Sequence, residues 1–487
     1  MEKVVKIKEE IKINNIEVGR YVKVTIESYS HEGLGIAHID GVNNNQEELT
    51  NFPIFVFNAL IGETVIVKLI KVNKNLAYGE VDKLIESTTS LDRIKPICGS
   101  YAKCGGCNLL HMSYQAQLEF KRKTVVDTLA KLGDIYDVKV NGCLGMKSNP
   151  YYYRNKVQVP VQEIYKGKTV TGFFERETHK VIPLNECYIQ SELSTSIIIF
   201  TKNILIEHGM IGYNEQRKTG TLRHILVRRN YDESEIMIVL VLKDFKFIDE
   251  KKEVLEEIIS KIVKRYPSVK TIVANLNNAV TNTIIGDECK TLYGKAYIND
   301  ILCGYKFMIG PKSFYQVNHE QCEVLYQKAI EQAKLTKNDI VIDAYCGIGT
   351  IGILAAKHVK EVYSVEIVDE AIKYAKKNAK NNNIDNITFE CAPSEKQIIK
   401  WFEQGIKPNV IFVDPPRKGC DENFLDTIIK MNIERIVYIS CDPATLARDL
   451  KLLVANNYKI NSIQPIDMFS QNHHVETVVC LSRKTTK

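Results

Sequence analysis

The sequence has no run of about 18 apolar residues, the length that a helix needs to span a bilayer. Its opening residues, Met-Glu-Lys-Val-Val-Lys, contain no apolar core of signal-peptide length. We therefore expect a soluble, cytoplasmic protein with no membrane partner. In a reducing cytosol, the 13 cysteines argue against a disulfide framework and favour metal binding, catalysis or burial.

A strong charge imbalance is also missing. The formal net charge of +6 permits a polyanionic partner without requiring one. Apolar residues make up 45% and charged residues 25% of the chain, which is ordinary for a globular protein. Because 487 residues are too many for a single core, we expect roughly two to four domains.

The first predicted domain, residues 1–85, consists of short strands with alternating apolar and polar residues. Glycine and asparagine turns separate these strands, which favours a small OB-like β-barrel. The pattern resembles the TRAM domain, an accessory module that binds RNA. The predicted strands are Tyr21 to Ile26, Phe52 to Phe57, Thr64 to Ile70 and Tyr78 to Leu84.

A compact group of cysteines begins the second predicted domain, an α+β domain over residues 86–312. Cys98 is followed after five residues by Cys104-Gly-Gly-Cys107. Three thiolates this close would repel one another unless a cation neutralised them, and zinc or an iron–sulfur cluster would do so. Cys187 is our candidate for a fourth ligand. The alternative is a set of thiols that binds no metal.

Basic residues of this domain fall in three places. Residues 113–132 are predicted to form a helix that packs on the catalytic domain, with Ser113 as its N-cap. The cations Lys121, Arg122 and Lys123 on this helix could meet phosphate or solvent, and we favour solvent. Two further segments, 151–156 and 217–229, combine aromatic or polar residues with cations, as single-stranded RNA recognition does. The alternative for each is an ordinary polar sheet face. From these segments we predict RNA contacts by Arg154, Lys156, Arg223 and Arg228.

From residue 339 the pattern alternates strands and helices, which indicates a doubly wound parallel sheet. A buried strand, 340–342, leads to Gly347 and Gly349, and a second strand ends on Glu366. An acid at that position can bind ribose hydroxyls. The third glycine of a dinucleotide site is missing, and no phosphate-binding lysine follows. A nucleoside without a pyrophosphate fits better, which points to S-adenosylmethionine (SAM).

Two later strands end on groups suited to catalysis. One ends on Asp414-Pro-Pro-Arg417, and the next, 436–439, ends on Ser440-Cys441. Glu476 precedes the last strand. Carbon 5 of uracil becomes nucleophilic when a thiolate adds to carbon 6, and a base must then remove the carbon 5 proton. Cys441 and Glu476 are our candidates for the nucleophile and the base.

Together these motifs resemble the RNA uracil-5 methyltransferases over nearly the whole chain. The resemblance implies a Rossmann-like methyltransferase domain over residues 313–487, with SAM as the methyl donor. It also implies a [4Fe–4S] cluster held by Cys98, Cys104, Cys107 and Cys187, and an aromatic, Phe314, beside the extruded target base. The residues that it places at SAM are Gln316, Tyr345, Gly347, Gly349, Thr350, Glu366 and Asp414. The motifs are SFYQVN (313–318), DAYCGIGT (343–350), DPPR (414–417), SCDPATLARD (440–449) and HHVE (473–476).

Within this family, a TRAM domain and a cysteine cluster resemble the branch that modifies large-subunit (23S) ribosomal RNA, and we expect a monomer acting on that RNA. Tyr315 and Asp442 stand where the family has phenylalanine and often asparagine. The alternatives are a tRNA uracil-5 methyltransferase, a cytosine-5 methyltransferase and a non-catalytic RNA-binding protein. Cytosine chemistry normally uses a second cysteine, and none stands beside Asp414.

Overall fold

The computed structural model describes residues 13–43, 47–165, 167–279 and 283–484. These form two compact units, of which the first runs up to Ile97 and adds Cys107–Phe120 and Gln471–His473. The second holds the rest of the described chain. The opening Met-Glu-Lys-Val-Val-Lys, whose sequence we interpreted as lacking a signal peptide, lies outside the described residues. Within the described ranges every helix is too short or too polar to cross a lipid bilayer.

The first unit is built on a sheet of seven strands, which includes the four that the alternating pattern predicts. In the second strand Val22 and Val24 are buried while their neighbours are exposed, because successive side chains point to opposite faces. The strands are β1 (Ile13–Ile16), β2 (Tyr21–Thr25), β3 (Ser28–Tyr29), β4 (Gly35–Asn43), β5 (Glu48–Phe57), β6 (Thr64–Val72) and β7 (Ala77–Leu84). Their order is β1-β4-β5-β7-β6-β2, and β3 pairs with β4.

A 3-10 turn, Glu86–Thr88, precedes the long helix α1 (Tyr114–Gly133). Its predicted cap is confirmed, since the Ser113 hydroxyl accepts a hydrogen bond from the Ala116 amide at 3.3 Å. The predicted solvent exposure of Lys121 is wrong: this lysine is fully buried, and its ammonium group pairs with Asp467. The acid comes from 346 residues further along the chain, so no local charge pattern could reveal it.

The second unit begins with a mixed sheet of seven strands in the order β10-β9-β8-β11-β12-β13-β14. Two helices, α2 and α4, pack against it through a shared apolar core. A two-stranded hairpin, β15 and β16, follows. The elements are β8 (Lys156–Tyr165), β9 (Lys168–Phe174), β10 (Val181–Pro183), α2 (Glu192–Glu207), β11 (Leu222–Arg229), β12 (Ile236–Leu242), α3 (Lys246–Glu250), α4 (Lys252–Arg265), β13 (Val269–Leu276), β14 (Glu288–Gly294), β15 (Ile298–Leu302) and β16 (Tyr305–Ile309).

The last part of the second unit is a doubly wound sheet in the order β19-β18-β17-β20-β21-β23-β22. The first five strands in that order are parallel, and β23 and β22 are antiparallel to their neighbours. The elements are α5 (His319–Ala333), β17 (Ile340–Asp343), α6 (Thr350–Ala356), β18 (Glu361–Glu366), α7 (Asp369–Asn381), β19 (Ile387–Cys391), α8 (Ser394–Glu403), β20 (Val410–Val413), α9 (Glu422–Met431), β21 (Arg435–Ser440), α10 (Pro443–Ala455), β22 (Tyr458–Ile466) and β23 (Glu476–Arg483).

Apolar clusters cover both faces of this sheet, which is why its strands are continuous apolar runs such as Val-Ile-Phe-Val in β20. The Rossmann-like α/β fold predicted from the sequence is confirmed. The predicted domain boundary between residues 312 and 313 falls inside the second unit, where β16 leads to α5.

Candidate active site

The register of two antiparallel strands brings the predicted nucleophile and base together. Ser440, the last residue of β21, pairs with Thr477 near the start of β23. Cys441 follows Ser440, and Glu476 precedes Thr477. The two residues are 35 positions apart in sequence, yet they lie at the same edge of the sheet. Cys441 is half-buried and Glu476 is 3% exposed.

Burial and like charges raise the pKa values of these groups. Burial, followed by the charges of Glu476 and Asp414, raises the pKa of the Cys441 thiol to about 12, against the opposing effect of Arg417. Burial, together with Asp414, raises the pKa of Glu476 to about 8. Desolvation alone raises the pKa of Asp414 to about 7. Perturbed groups of this kind, gathered at strand ends, are typical of an active site.

Arg417 is the cation that opposes these acids. Its Nη2 lies 3.3 Å from Nε2 of His474. Burial, then Arg417, lowers the pKa of His474 to about 4, so this imidazole is neutral at pH 7. A neutral Nε2 can accept a hydrogen bond from the guanidinium, which restrains the Arg417 side chain.

Asp442, which replaces the asparagine frequent in the family, caps helix α10. Its carboxylate accepts hydrogen bonds from the amides of Ala444 at 2.8 Å and Thr445 at 3.3 Å, with Pro443 in the first turn. An asparagine would form the same cap. The substitution therefore adds a negative charge, which raises the pKa of the Cys441 thiol.

The glycine loop after β17 has the geometry that the sequence predicts. Gly347 and Gly349 have φ values of 54° and 86°, which favour glycine. Glu366 lies at the end of β18. One of its oxygens accepts from the Gly347 amide at 3.1 Å and the other from the Val368 amide at 3.0 Å. The carboxylate is thus fixed to the loop, and each oxygen keeps a lone pair for a ribose hydroxyl.

Asp343 is a buried acid at this loop to which the sequence analysis gave no role. Its Oδ2 accepts from the Gly352 amide at 2.8 Å, and burial raises its pKa to about 7. Its Oδ1 is buried and has no hydrogen-bond partner among the described residues. An acid at the end of β17, at the head of the DAYCGIGT motif, was the available signal. The glycines, the held carboxylate and this oxygen fit a nucleoside cofactor.

The other residues assigned to SAM lie in different environments. Thr350 begins α6 and is buried, with its Oγ1 3.4 Å from the Tyr326 hydroxyl. The Tyr345 ring lies 5.6 Å from that of Phe424, and burial, with the nearby Cys420, raises its pKa. Its side chain therefore takes part in the apolar core beside the loop.

The segment Ser313–Asn318 connects the hairpin to α5 and is held at several points. Phe314 is 70% exposed, whereas Gln316 is buried. Asn155 donates through its side chain to the Gln316 carbonyl at 2.9 Å and through its backbone to the Val317 carbonyl at 2.8 Å. An exposed ring on a fixed segment is suited to stacking on a base.

Tyr315, in the same segment, is buried. The contacts of its hydroxyl explain why a tyrosine stands where the family has phenylalanine. Its hydroxyl donates to Oδ2 of Asp300 at 3.0 Å, and Nδ1 of His319 lies 3.2 Å from the same oxygen. Oδ1 of Asp300 accepts from the amides of Tyr231 and Ile301, both at 3.0 Å. One carboxylate thus ties the segment to α5, to β15 and to the turn after β11.

Two of the four cations predicted to contact RNA bind backbone carbonyls. Arg228 is fully buried and donates to the Ser313 carbonyl at 2.8 Å. This burial contradicts the RNA contact predicted for Arg228, because the sequence could not distinguish a buried arginine from a surface one. Arg223 is half-buried, donates to the carbonyls of Asn277 and Ala279, both at 2.7 Å, and lies over the Tyr213 ring. An RNA contact by Arg223 stays a prediction.

The other two predicted cations, Arg154 and Lys156, are half-buried. Arg154 forms isolated backbone bridges to Gln190 and Asn318, next to the segment of Phe314. Burial, with Arg228 and Arg154 nearby, lowers the pKa of Lys156 to about 7. At pH 7 a smaller fraction of Lys156 therefore carries a positive charge than of an exposed lysine.

The cysteines predicted to bind a metal are only partly assembled. Burial raises the pKa of Cys187, and the nearby thiols of Cys104 and Cys98 also raise it. These three thiols therefore interact electrostatically. Burial also raises the pKa of Cys104. Cys107 is half-buried and belongs to the first unit. In the part of the chain that the structure describes, no three or more His, Cys, Asp or Glu side chains are arranged to hold a metal ion.

Known proteins similar to this chain are RNA methyltransferases. Uncharacterized RNA methyltransferases of Bacillus cereus and Clostridium tetani are 46% and 47% identical to it, covering 96% and 91% of this chain and 98% and 95% of their own lengths. The crystal structure of Pyrococcus abyssi tRNA (uracil-54, C5)-methyltransferase in complex with S-adenosyl-L-homocysteine aligns with a TM-score of 0.72. It is 26% identical and covers 94% of this chain and 99% of its own.

Two family models match the sequence. The TRAM domain model matches residues 16–81, which confirms the prediction for the first strands. The model of the tRNA (Uracil-5-)-methyltransferase family matches residues 113–484. The resemblance inferred from the motifs is confirmed: the chain belongs to the tRNA (uracil-5-)-methyltransferase family and is a SAM-dependent RNA methyltransferase.

Proposed function

We propose that the protein methylates carbon 5 of a uridine in RNA through a covalent bond between Cys441 and carbon 6 of the base. The observation that carries this proposal is the pairing of Ser440 with Thr477, which puts the thiol and the Glu476 carboxyl at one sheet edge. Phe314 provides an exposed ring for the extruded base.

The chemistry requires one nucleophile and one base. The Cys441 thiolate bonds to carbon 6, and the electron pair of the carbon 5–carbon 6 double bond makes carbon 5 nucleophilic. SAM, when bound, supplies the electrophilic methyl group. Glu476 then takes the proton from carbon 5, the double bond re-forms, and the carbon 6–sulfur bond breaks to release the thiolate.

The electrostatics of the site suit these roles. In its ionised form, a carboxyl whose pKa is about 8 is a stronger base than an exposed carboxylate and binds the transferred proton more tightly. Arg417 opposes the acids that raise the pKa of the Cys441 thiol and so favours the thiolate. We propose that Gln316, Thr350, Glu366, Asp414 and the glycines at 347 and 349 bind SAM, with Tyr345 supporting the loop.

Two variants test the covalent step. Cys441→Ala should abolish methylation while S-adenosylhomocysteine still binds, and Cys289→Ala, at an exposed cysteine, is the matched control. Glu476→Gln should accumulate an enzyme–RNA adduct that survives denaturing electrophoresis, because the carbon 5 proton is no longer removed. Substantial turnover by Cys441→Ala, or no adduct in Glu476→Gln, would contradict the mechanism.

For the RNA target we propose 23S ribosomal RNA, because the TRAM domain and the four cysteines resemble the branch that modifies it. A tRNA uridine is the second candidate, since the Pyrococcus abyssi tRNA enzyme aligns over 94% of this chain. A non-catalytic RNA-binding role is disfavoured by the intact glycine loop and by the pairing of Cys441 with Glu476. Mass spectrometry of ribosomal RNA and tRNA from cells lacking the protein would show which 5-methyluridine is lost.

We also propose that Cys98, Cys104, Cys107 and Cys187 bind a [4Fe–4S] cluster. The close spacing of Cys98, Cys104 and Cys107 supports this, because thiolates gathered at one place require a cation nearby. The four thiols match the donor set of the cluster, although the described side chains are not in ligand positions. Protein purified without oxygen should contain about four irons per chain and absorb at about 400 nm. Stoichiometric zinc would contradict the assignment.

A further inference from the structure

A cleft of ≈ 540 Å³ opens between α2 and α4 in the second unit, and Cys187, one of the four cysteines proposed to bind a cluster, also lines it. Its walls include the rings of Tyr152, Tyr188, Phe200 and Tyr266. Tyr152 and Tyr188 are paired at 6.0 Å, and Phe200 meets Tyr266 edge-on at 5.6 Å. The volume lies within the range of about 300–1,000 Å³ typical of ligand sites.

Polar groups among these rings could bind the edge of a base. The Arg265 guanidinium lies 4.8 Å from the centre of the Phe200 ring. Carboxylates of Glu186 and Glu192 also line the cleft and can accept hydrogen bonds from ring or amino N–H groups. Rings, a stacked guanidinium and hydrogen-bonding groups are what proteins use to hold unpaired RNA bases.

A second cleft of ≈ 580 Å³ continues from the first and shares Phe200, Asn203 and Arg265 with it. Lys261 and Lys264 line this second cleft. Both lysines and Arg265 lie exposed in the last turns of α4. Lys261 pairs with Glu257, whereas Lys264 has no acidic partner within the described ranges. The first cleft thus offers rings and acceptors, and the second offers cations suited to phosphate.

The backbone connects the first cleft to the active site. The Tyr152 amide donates to the Tyr188 carbonyl at 2.7 Å, and the Arg154 amide donates to the Ile189 carbonyl at 2.9 Å. Asn155, three residues after Tyr152, bonds to Gln316. Tyr152 also has a positive φ of 57°, a strained conformation that often marks functional positions.

We propose that these two clefts form a subsite for one unpaired nucleotide of the substrate RNA, near the uridine that is methylated. The base enters among Tyr152, Tyr188 and Phe200, and its phosphate lies at Lys264 and Arg265. This inference rests on the proposed RNA substrate but not on the covalent chemistry. The subsite would add affinity and help to select the RNA.

Binding of a fluorescein-labelled single-stranded RNA of about twelve nucleotides tests the subsite. The full chain carrying Cys441→Ala is used without SAM, so a failure of the proposed chemistry cannot affect the result. Tyr152→Ala should weaken binding about tenfold, the effect of losing one stacked base. Tyr152→Phe keeps the ring and should bind like the parent protein.

The phosphate side is tested in the same assay. Lys264→Glu should weaken binding and reduce the slope of log affinity against log salt by about one. Lys270→Glu, at an exposed lysine of β13 outside both clefts, is the control. A 5-iodouridine in the RNA should crosslink to a peptide containing Tyr152, Tyr188 or Phe200. Unchanged affinity in both Tyr152→Ala and Lys264→Glu, or crosslinks confined to other peptides, would overturn the proposal.

Discussion

At the scale of single residues, the site depends on groups whose behaviour is set by burial. Cys441, Glu476 and Asp414 all have raised pKa values because they are removed from water, and nearby acids raise those of Cys441 and Glu476 as well. Arg417 is the nearby cation, and the neutral His474 orients it. The site therefore holds protons more tightly than the same residues would in solution, which suits a reaction that returns a thiol and moves a proton.

Tyr315 provides a prediction at this scale. Tyr315→Phe removes the hydroxyl that donates to the buried Asp300. Hydrogen bonds to charged groups contribute about 1.5–3 kcal/mol, so we expect a loss of that size in the free energy of unfolding, measured by urea denaturation. Tyr165→Phe, at an exposed tyrosine, is the control. Adding Asp300→Asn should recover part of the loss, and equal stability of Tyr315→Phe and the parent would contradict the network.

At the scale of elements, loops and helix ends position the functional groups. The glycine loop enters α6 through a left-handed residue, and α10 begins directly after Cys441 with Asp442 as its cap. The nucleophile and the cofactor loop thus both follow parallel strands at the carboxyl edge of the sheet, where ligands of this fold bind.

Gly349→Ala tests the cofactor loop. The new Cβ would lie 3.2 Å from atoms of Ala375, Ile353 and Phe389, at a φ of +86°. We expect strain of about 1–2 kcal/mol and a loss of S-adenosylhomocysteine binding in calorimetric titration. Gly405→Ala shares the positive φ but meets open space, so it should lose similar stability and keep binding. Normal S-adenosylhomocysteine binding by Gly349→Ala would contradict the assignment of this loop to the cofactor site.

Helix α1 provides a second prediction for an element. Lys121→Met would leave the Asp467 carboxylate buried without its cation. Breaking one side of a buried pair costs about 3–5 kcal/mol, which urea denaturation should detect. Lys123→Met, at an exposed lysine of the same helix, should change stability by less than about 0.5 kcal/mol. Combining Lys121→Met with Asp467→Asn should restore part of the stability, and no loss in Lys121→Met would contradict the burial.

At the scale of the whole molecule, buried acids link stability to pH. The pKa of Glu476 is about 8 in the folded protein, above its ordinary value of about 4.5. Between these values the folded state retains a proton that the unfolded state releases, so this residue's contribution to stability falls as pH rises. The same sign applies to Asp343 and Asp414 up to about pH 7.

Glu476→Gln removes this titration without changing the side chain's size. Its melting temperature relative to the parent should therefore increase from pH 5 to pH 8, measured by scanning calorimetry. Glu403→Gln, at an exposed acid, should show no such trend. A difference that is independent of pH would show that Glu476 is not held in a desolvated site.

Much of the fold followed from local patterns. The strands of the methyltransferase sheet appeared as apolar runs ending on Asp414 and Cys441, and the TRAM strands appeared as alternation, because periodicity reports which faces are buried. The motifs with Cys441 and Glu476 indicated the reaction class. Asp343 was missed, although it ends a predicted strand, because its significance depends on burial and on an oxygen without a partner.

The sequence by itself determined the family and the candidate catalytic pair, since these depend on residue type and on spacing along the chain. Only the tertiary structure decided which cations face solvent. We expected Lys121 and Arg228 at the surface, yet both are buried. Lys121 pairs with Asp467, and Arg228 donates a hydrogen bond to the Ser313 carbonyl. The tertiary structure also decided the strand register, in which Ser440 pairs with Thr477. It likewise formed the cleft between α2 and α4. A buried charge needs a partner from elsewhere in the chain, and that partner is fixed only when distant segments pack together.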